Sequence, residues 1–303
     1  MCSSGVASYN GDTLKAKHPH KPPPSKPSNT FSEPSLVADV DMVLRCIKSF
    51  PKGTSCGRDG LRAQHILDAM CGEGSVVATD LLQAITSVVN LWLGGRCPMS
   101  LAEFVASAPL TPLLKPDHGI RPIAVGTIWR RLVSKVAMKG VGKVMTIYLN
   151  DFQFGVGVSG GAEAILHSVN RVLSKRHEDG SLAMLTVDFS NAFNLVDRIV
   201  LLREVRARCP SISLWVEFLY GQAGRLYLGD GHIWSATGVQ QGDPLGPLLF
   251  ALVLHPLVHR IRDNCKLLLH AWYLDDGTVI GKSEEVAKAL NIILEMGPTW
   301  VSS

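Results

Sequence analysis

Tyr273-Leu274-Asp275-Asp276 sets two adjacent carboxylates between a strand-like run, Leu267 to Tyr273, and a second short one, Gly277 to Ile280. Anions this close repel each other and raise a pKa, so a fold keeps them readily only where a cation shares the site. Neighbouring strand residues face opposite ways, and both can approach one ion only at a hairpin tip, which Gly277 suggests here. Alone, the stretch reads as a solvated Asp-Asp-Gly turn. A second acid upstream changes that reading.

That acid is Asp188, which closes the run Leu182-Ala183-Met184-Leu185-Thr186-Val187. The apolar and β-branched content is that of a core strand. The following stretch, Asn191 to Cys209, reads as one helix with Leu195, Ile199, Leu202 and Val205 on one face. Asp188 therefore stands at the C-terminal edge of a strand, where open sheets present ligand sites. Three carboxylates at strand ends supply hard oxygen ligands for Mg²⁺ and leave positions for water and substrate phosphates. Two such ions, about 3.5 to 4 Å apart, can clamp the attacking and leaving oxygens of a phosphoryl displacement. The chemistry indicated is nucleotidyl transfer.

Four blocks in order resemble the reverse transcriptases of non-LTR (LINE-type) retrotransposons and, more distantly, of group II introns. They are Gly57-Arg58-Asp59-Gly60-Leu61; Lys115-Pro116-Asp117 through Gly119-Ile120-Arg121-Pro122-Ile123; Val187-Asp188-Phe189-Ser190-Asn191-Ala192-Phe193; and Gly238 to Pro247 followed by Tyr273 to Asp276. The similarity spans roughly Ser35 to Met296. The resemblance implies that Asp188, Asp275 and Asp276 bind two Mg²⁺ ions, with Mn²⁺ a substitute. Asp188 and Asp275 are expected to touch the ions and Asp276 to stand partly behind them. It also implies an RNA-directed DNA polymerase that takes an RNA template, a DNA primer and dNTPs.

Phe193 read by itself is a core aromatic; the resemblance implies a pocket floor that collides with a ribose 2′-hydroxyl and so selects deoxynucleotides. Gly238 to Pro247 has its own local logic. Gly242 permits close backbone approach, Asp243 suits an N-cap and Pro244 the first helical turn. A helix then carries Leu245, Leu248, Leu249, Leu252 and Val253 inward, with Pro256 as a kink or stop. The resemblance places Gln241 and Gly242 against the incoming nucleotide and its template base; for Asp243 the capping role suffices. Lys115 and Arg121 bracket a turn, on arms that read as a β-hairpin. The resemblance makes that hairpin a grip on the triphosphate, a task to which Arg is well suited.

The chain of 303 residues, 46% hydrophobic, is long enough for one large or two modest domains. No apolar run reaches a membrane span and no signal-peptide core opens the chain, so an intracellular protein without a membrane partner is expected. Seven scattered cysteines without a CxxC pair indicate neither a disulfide framework nor structural zinc. A net charge of +4 permits nucleic-acid binding without requiring it.

Residues 1–34, rich in Lys, Pro, Ser and His, are expected to be disordered; 35–180 form a fingers region and 181–303 a palm region carrying the metal site. Ala162 to His177 reads as an amphipathic helix, Arg225 to Ser235 as a hairpin, and Ser283 as the cap of a last helix. The implied fold class is α+β, a right-hand polymerase with helical fingers and a palm of antiparallel sheet and packed helices. A thumb is expected to be absent, because only Gly297 to Ser303 follow Met296. A chain without a thumb would hold its primer poorly and extend it distributively. An RNA-templated RNA polymerase and a silent nucleic-acid-binding remnant or domesticated domain are the alternatives. Two positions depart from the family pattern: Arg58 stands where proline is usual, and Asn194 where an acid is frequent.

Overall fold

A computed structural model describes residues 11–24, 33–71, 76–116, 119–149 and 151–300, and these hold seven strands and twelve α-helices. The strands form two sheets. One has four strands in the order β2-β1-β4-β5: β1 (Ala108–Leu114), β2 (Ile120–Ala124), β4 (Gly224–Leu228) and β5 (Gly231–Ser235). The other has three in the order β3-β7-β6: β3 (Leu182–Val187), β6 (Leu267–Tyr273) and β7 (Asp276–Lys282). Helices dominate the rest, and the fold is the expected α+β class.

Two long helices form the centre. Four of the five leucine and valine positions of the expected stripe lie in α11 (Gly246–Asn264) and the fifth, Leu245, just before it, and all five are at most 2% exposed. Pro256 lies inside this helix without stopping it. One lost backbone hydrogen bond is outweighed by burial worth about 1.5–3 kcal/mol per large apolar side chain. The other, α6 (Ile128–Leu149), packs against α11 and against α2 (Val40–Lys48). Asp39 caps α2 by accepting from the Met42 amide at 2.6 Å. Around these helices lies one large core that includes Trp215, Tyr220, Phe250 and Trp272. A second, small cluster of Leu14, Ala108, Leu110, Ile120, Ala124, Leu226 and Ile233 packs with the four-stranded sheet.

Four local expectations give way to the structure. The stretch from Asn191 to Cys209 is two helices, α8 (Ala192–Leu195) and α9 (Arg198–Arg208), separated where Asp197 accepts from the amides of Ile199 and Val200 at 2.8 and 3.2 Å. A good capping residue starts a new helix here rather than continuing the old one. The break turns Ile199 outward to 60% exposure and buries Arg198 in its place. In α7 (Gly161–Lys175), whose amphipathic pattern sets Ile165, Leu166, Val169, Val172 and Leu173 as the inward stripe, Leu166 and Leu173 are exposed. At the start of α12 (Ser283–Trp300), the Ser283 hydroxyl donates to the Ser181 carbonyl, tying the helix to β3 rather than accepting from its own first turn.

The fourth concerns residues 11–24, expected to be part of a disordered tail. They form a short helix, α1 (Gly11–Ala16), and an extended continuation, and Leu14 is fully buried in the small cluster. The rest of 1–34, apart from 33 and 34, lies outside the described residues, as do the last three residues of the chain. All six cysteines among the described residues are free thiols. No described helix is long and apolar enough to cross a membrane.

Candidate active site

Strand pairing explains how acids distant in sequence meet. Antiparallel β3 and β7 pair Val187 with Gly277, and the next position in that register sets Asp188 opposite Asp276. Strand β6 returns on the far side of β7, with Tyr273 opposite Asp276, so Leu274 and Asp275 are the two residues of the hairpin turn. The tip is therefore Leu274-Asp275, and Asp276, expected to share the tip with Asp275, is the first residue of β7. Gly277 serves packing instead: a Cβ there would lie 2.6 Å from the Trp272 ring.

Leu274 adopts φ of +57°, a left-handed conformation that costs a branched side chain energy unless its surroundings impose it. Gln153 imposes it. Its buried carboxamide oxygen accepts from the Leu274 amide at 2.7 Å and from Gly155 at 3.0 Å, while its NH₂ donates to the Leu274 carbonyl. The backbone beside it pairs with β6: Phe154 donates to the Trp272 carbonyl at 2.7 Å, and Trp272 to Phe152 at 2.6 Å. Sequence reasoning missed Gln153; the only local signal is a polar residue between two aromatics ahead of glycine.

A cleft of about 740 Å³ opens at this end of the sheet, and all eight candidate residues line it: Asp188, Asp275, Asp276, Lys115, Arg121, Phe193, Gln241 and Gly242. The carboxyl of half-buried Asp275 is pushed above the usual range by burial and then by the charges of Asp276 and Asp188. Asp276 is raised likewise, by burial and by Asp188, with Arg121 and Lys115 opposing the shift. Like charges directly across a pair of strands are destabilising. None of the three aspartates has a cationic side chain at ion-pair distance among the described residues.

Among the described residues no group of three or more His, Cys, Asp or Glu side chains is gathered closely enough to hold a metal ion by itself. The three aspartates instead share an open cleft. Hard oxygen donors with positions left over fit Mg²⁺, which keeps waters and substrate phosphates among its ligands. The donor type suits the ion; the spacing of the three acids in this structure does not by itself enclose one.

Lys115 and Arg121 stand at the turn end of the β1–β2 hairpin, both exposed. The Lys115 amide donates to the Gly119 carbonyl at 2.8 Å, closing the turn; Asp117 of that turn lies outside the described residues. On another wall, Phe193 stacks on Phe250 with ring centroids 4.6 Å apart and planes 14° from parallel. Gln241 is fixed through its backbone, its carbonyl accepting from Ala124 of β2 at 2.8 Å. Gly242 has φ of +125°, and a Cβ there would meet the Ala124 carbonyl oxygen at 2.5 Å, so only glycine fits.

Asp243 is not the helix cap expected of it: the helix starts at Gly246, with Leu245 at the cap position and Pro247, not Pro244, in its first turn, and Asp243 serves the turn before it. Its Oδ1 accepts from the Leu245 amide, and its Oδ2 takes a hydrogen bond from the Tyr220 hydroxyl at 2.7 Å and an ion pair from Arg130 at 3.0 Å, all buried. Arg130 also donates to the Ala106 carbonyl and to Gln240, whose NH₂ donates to the same carbonyl. Burial, with the adjacent Asp243 charge, pushes the Tyr220 phenol well above its ordinary range. Arg198 has no acidic partner among the described residues and ties the loop down through the Gly238 and Thr237 carbonyls and Ser235, its pKa lowered by burial to about 10. This buried lattice holds the loop from Gly238 to Gly242 in the cleft wall. The two departures from the family pattern also find contacts: Arg58 lies over the Tyr227 ring at 3.7 Å, and buried Asn194 donates to Asn191 at 2.7 Å.

Comparison with known proteins gives two matches. The reverse transcriptase (RNA-dependent DNA polymerase) family matches residues 113–302. The retrotransposable element SLACS 132 kDa protein of Trypanosoma brucei gambiense is 30% identical over 269 residues, which cover 86% of this chain and 22% of that protein. The chain thus spans about a fifth of the length of that relative.

Proposed function

Because the chain belongs to the reverse transcriptase (RNA-dependent DNA polymerase) family, as a domain of the non-LTR retrotransposon type, we propose that its aspartate-lined cleft is the site of template-directed DNA synthesis. The primer 3′-hydroxyl oxygen attacks the α-phosphorus of a bound dNTP, a phosphodiester bond forms, and pyrophosphate leaves. The observation that carries this reading is that Asp188, brought opposite Asp276 by strand register, lines one cleft with Asp275 and with every other candidate residue.

Each residue has a part that its surroundings support. Asp188, Asp275 and Asp276 would hold two Mg²⁺ ions, which when bound supply charge stabilisation to the attacking and leaving oxygens. Lys115 and Arg121 neutralise the triphosphate, Arg by its bidentate donors. Phe193, backed by Phe250, presents a fixed ring to the sugar and excludes a 2′-hydroxyl. Gln241 and Gly242 offer a wall whose backbone is already bonded to β2, so little ordering remains to be done on binding. An RNA template and a DNA primer are the partners, in an intracellular setting.

We assign residues 35–180 to fingers and 181–303 to palm, with β4 and β5 of the second segment completing the sheet begun by β1 and β2. The test is steady-state extension of a DNA primer on an RNA template with Mg²⁺. Loss of charge at Arg121 should raise the KM for dNTP far more than it weakens template binding. A defect confined to template affinity would remove Arg121 from the nucleotide site.

A further inference from the structure

Residues 11–24 reach the cleft, and nothing in the site as described so far uses them. They are held at three places. Leu14 is fully buried in the small cluster with residues of β1, β2, β4 and β5. The Asn191 side chain donates to the Lys17 carbonyl at 3.0 Å, while its own oxygen accepts from Asn194. Lys21 pairs with Asp197 at 3.6 Å. Between these anchors Lys17, half-buried, lines the same cleft as the aspartates and Arg121.

We propose that Lys17 is a further substrate-binding residue, a cation delivered by the 11–24 strap to the triphosphate of the incoming nucleotide; this rests on reading the cleft as a nucleotide site. Of the three lysines in the strap, Lys15 pairs with Asp12 and Lys21 with Asp197, whereas Lys17 has no ion pair among the described residues. The side chain beside it is no counter-charge either. His18 is buried, and burial, then Arg198 and Lys17, lower its pKa to about 4, so at neutral pH it is uncharged.

Asn191 fixes the Lys17 backbone to the turn between Asp188 and Phe193, that is, between the acids and the proposed sugar contact. A triphosphate lying between them meets Lys115 and Arg121 from the β1–β2 hairpin and Lys17 from the strap. The arrangement is a clamp of three cations from two separate parts of the chain. A charge-assisted contact of this kind is lost when the ammonium is removed and largely kept by arginine.

The experiment is equilibrium binding of a fluorescent dATP to the full chain in Ca²⁺, which suppresses turnover, alongside binding of a single-stranded RNA. Lys17→Ala should weaken dATP binding about tenfold, with RNA affinity changed less than about twofold. Lys17→Arg should restore most of the loss, and Leu14→Ala, which loosens the strap without touching the cleft, should give a smaller loss of the same kind. The proposal is overturned if Lys17→Ala binds dATP as the unchanged protein does, binds it more tightly, or loses RNA affinity instead. Asp275→Ala separates the two readings: if its removal of a cleft acid leaves dATP binding untouched, the nucleotide site itself is misplaced, whatever Lys17 does.

Discussion

Phe193 lies flat against Phe250, and a ring clamped in that way cannot swing aside for a ribose hydroxyl. Phe193→Val should therefore raise incorporation of ribonucleotides relative to deoxynucleotides by roughly tenfold or more, read as the ratio of kcat/KM values; an unchanged ratio would remove the steric role. Single residues differ in how far sequence reveals them. That Asp188, Asp275 and Asp276 gather at one end of a sheet was legible because adjacent carboxylates are costly without a cation and Asp188 ends a core strand. Gly242 was legible because close approach demands glycine. Asp243 was read by its nearest neighbours as a cap, but its strongest partner, Arg130, lies 113 positions away. Gln153 is 121 positions from the turn it supports. Long-range pairing of this sort leaves no periodic mark on the chain.

The hairpin of β6 and β7 is the element on which the site depends, and two of its contacts can be removed separately. Gly277→Ala pushes a methyl into the Trp272 ring and should cost about 1–3 kcal/mol of stability by thermal or urea unfolding. A variant as stable as the original would mean that the ring moves freely. Gln153→Ala deletes the bonds that hold Leu274 left-handed, so kcat should fall while the KM for dNTP changes little, since the acids remain but lose their orientation. Most elements were legible from period and turn chemistry, including β3, the β1–β2 hairpin and α11. The hairpin tip was placed one residue late, on Asp275-Asp276, because the glycine after them is a strong turn signal, and here an aromatic across the strand claims that glycine instead. The break before α9 was hidden because an apolar stripe continues through it, and Asp197 outweighs the stripe.

Across the whole molecule, buried charge sets the response to mutation and pH. Removing one partner of the Arg130–Asp243 pair, as in Asp243→Asn, leaves an uncompensated buried cation and should cost about 3–5 kcal/mol, measured by urea unfolding. Three histidines, the buried His18 and His255 and the half-buried His270, have pKa values lowered to about 4, chiefly by burial. The unfolded chain binds protons there at ordinary histidine pKa, so their contribution to stability is complete above about pH 6.5 and is lost as pH falls towards 4. Urea midpoints should drop over that window, and His255→Gln should flatten the slope; an unchanged slope would mean that His255 is charged in the folded protein. The fold class followed from the order of elements, but the docking of residues 11–24 did not, because a composition rich in Lys and Pro outweighs one buried leucine in any sequence window. The central claim is that the cleft of Asp188, Asp275 and Asp276 carries out nucleotidyl transfer, and single-nucleotide extension of a DNA primer on an RNA template in Mg²⁺ tests it most directly. The unchanged chain should add dNTP, and Asp188→Ala and Asp275→Ala, shown to be folded, should fall by about a thousandfold or more; extension by Asp275→Ala at a rate close to that of the unchanged chain would contradict the account.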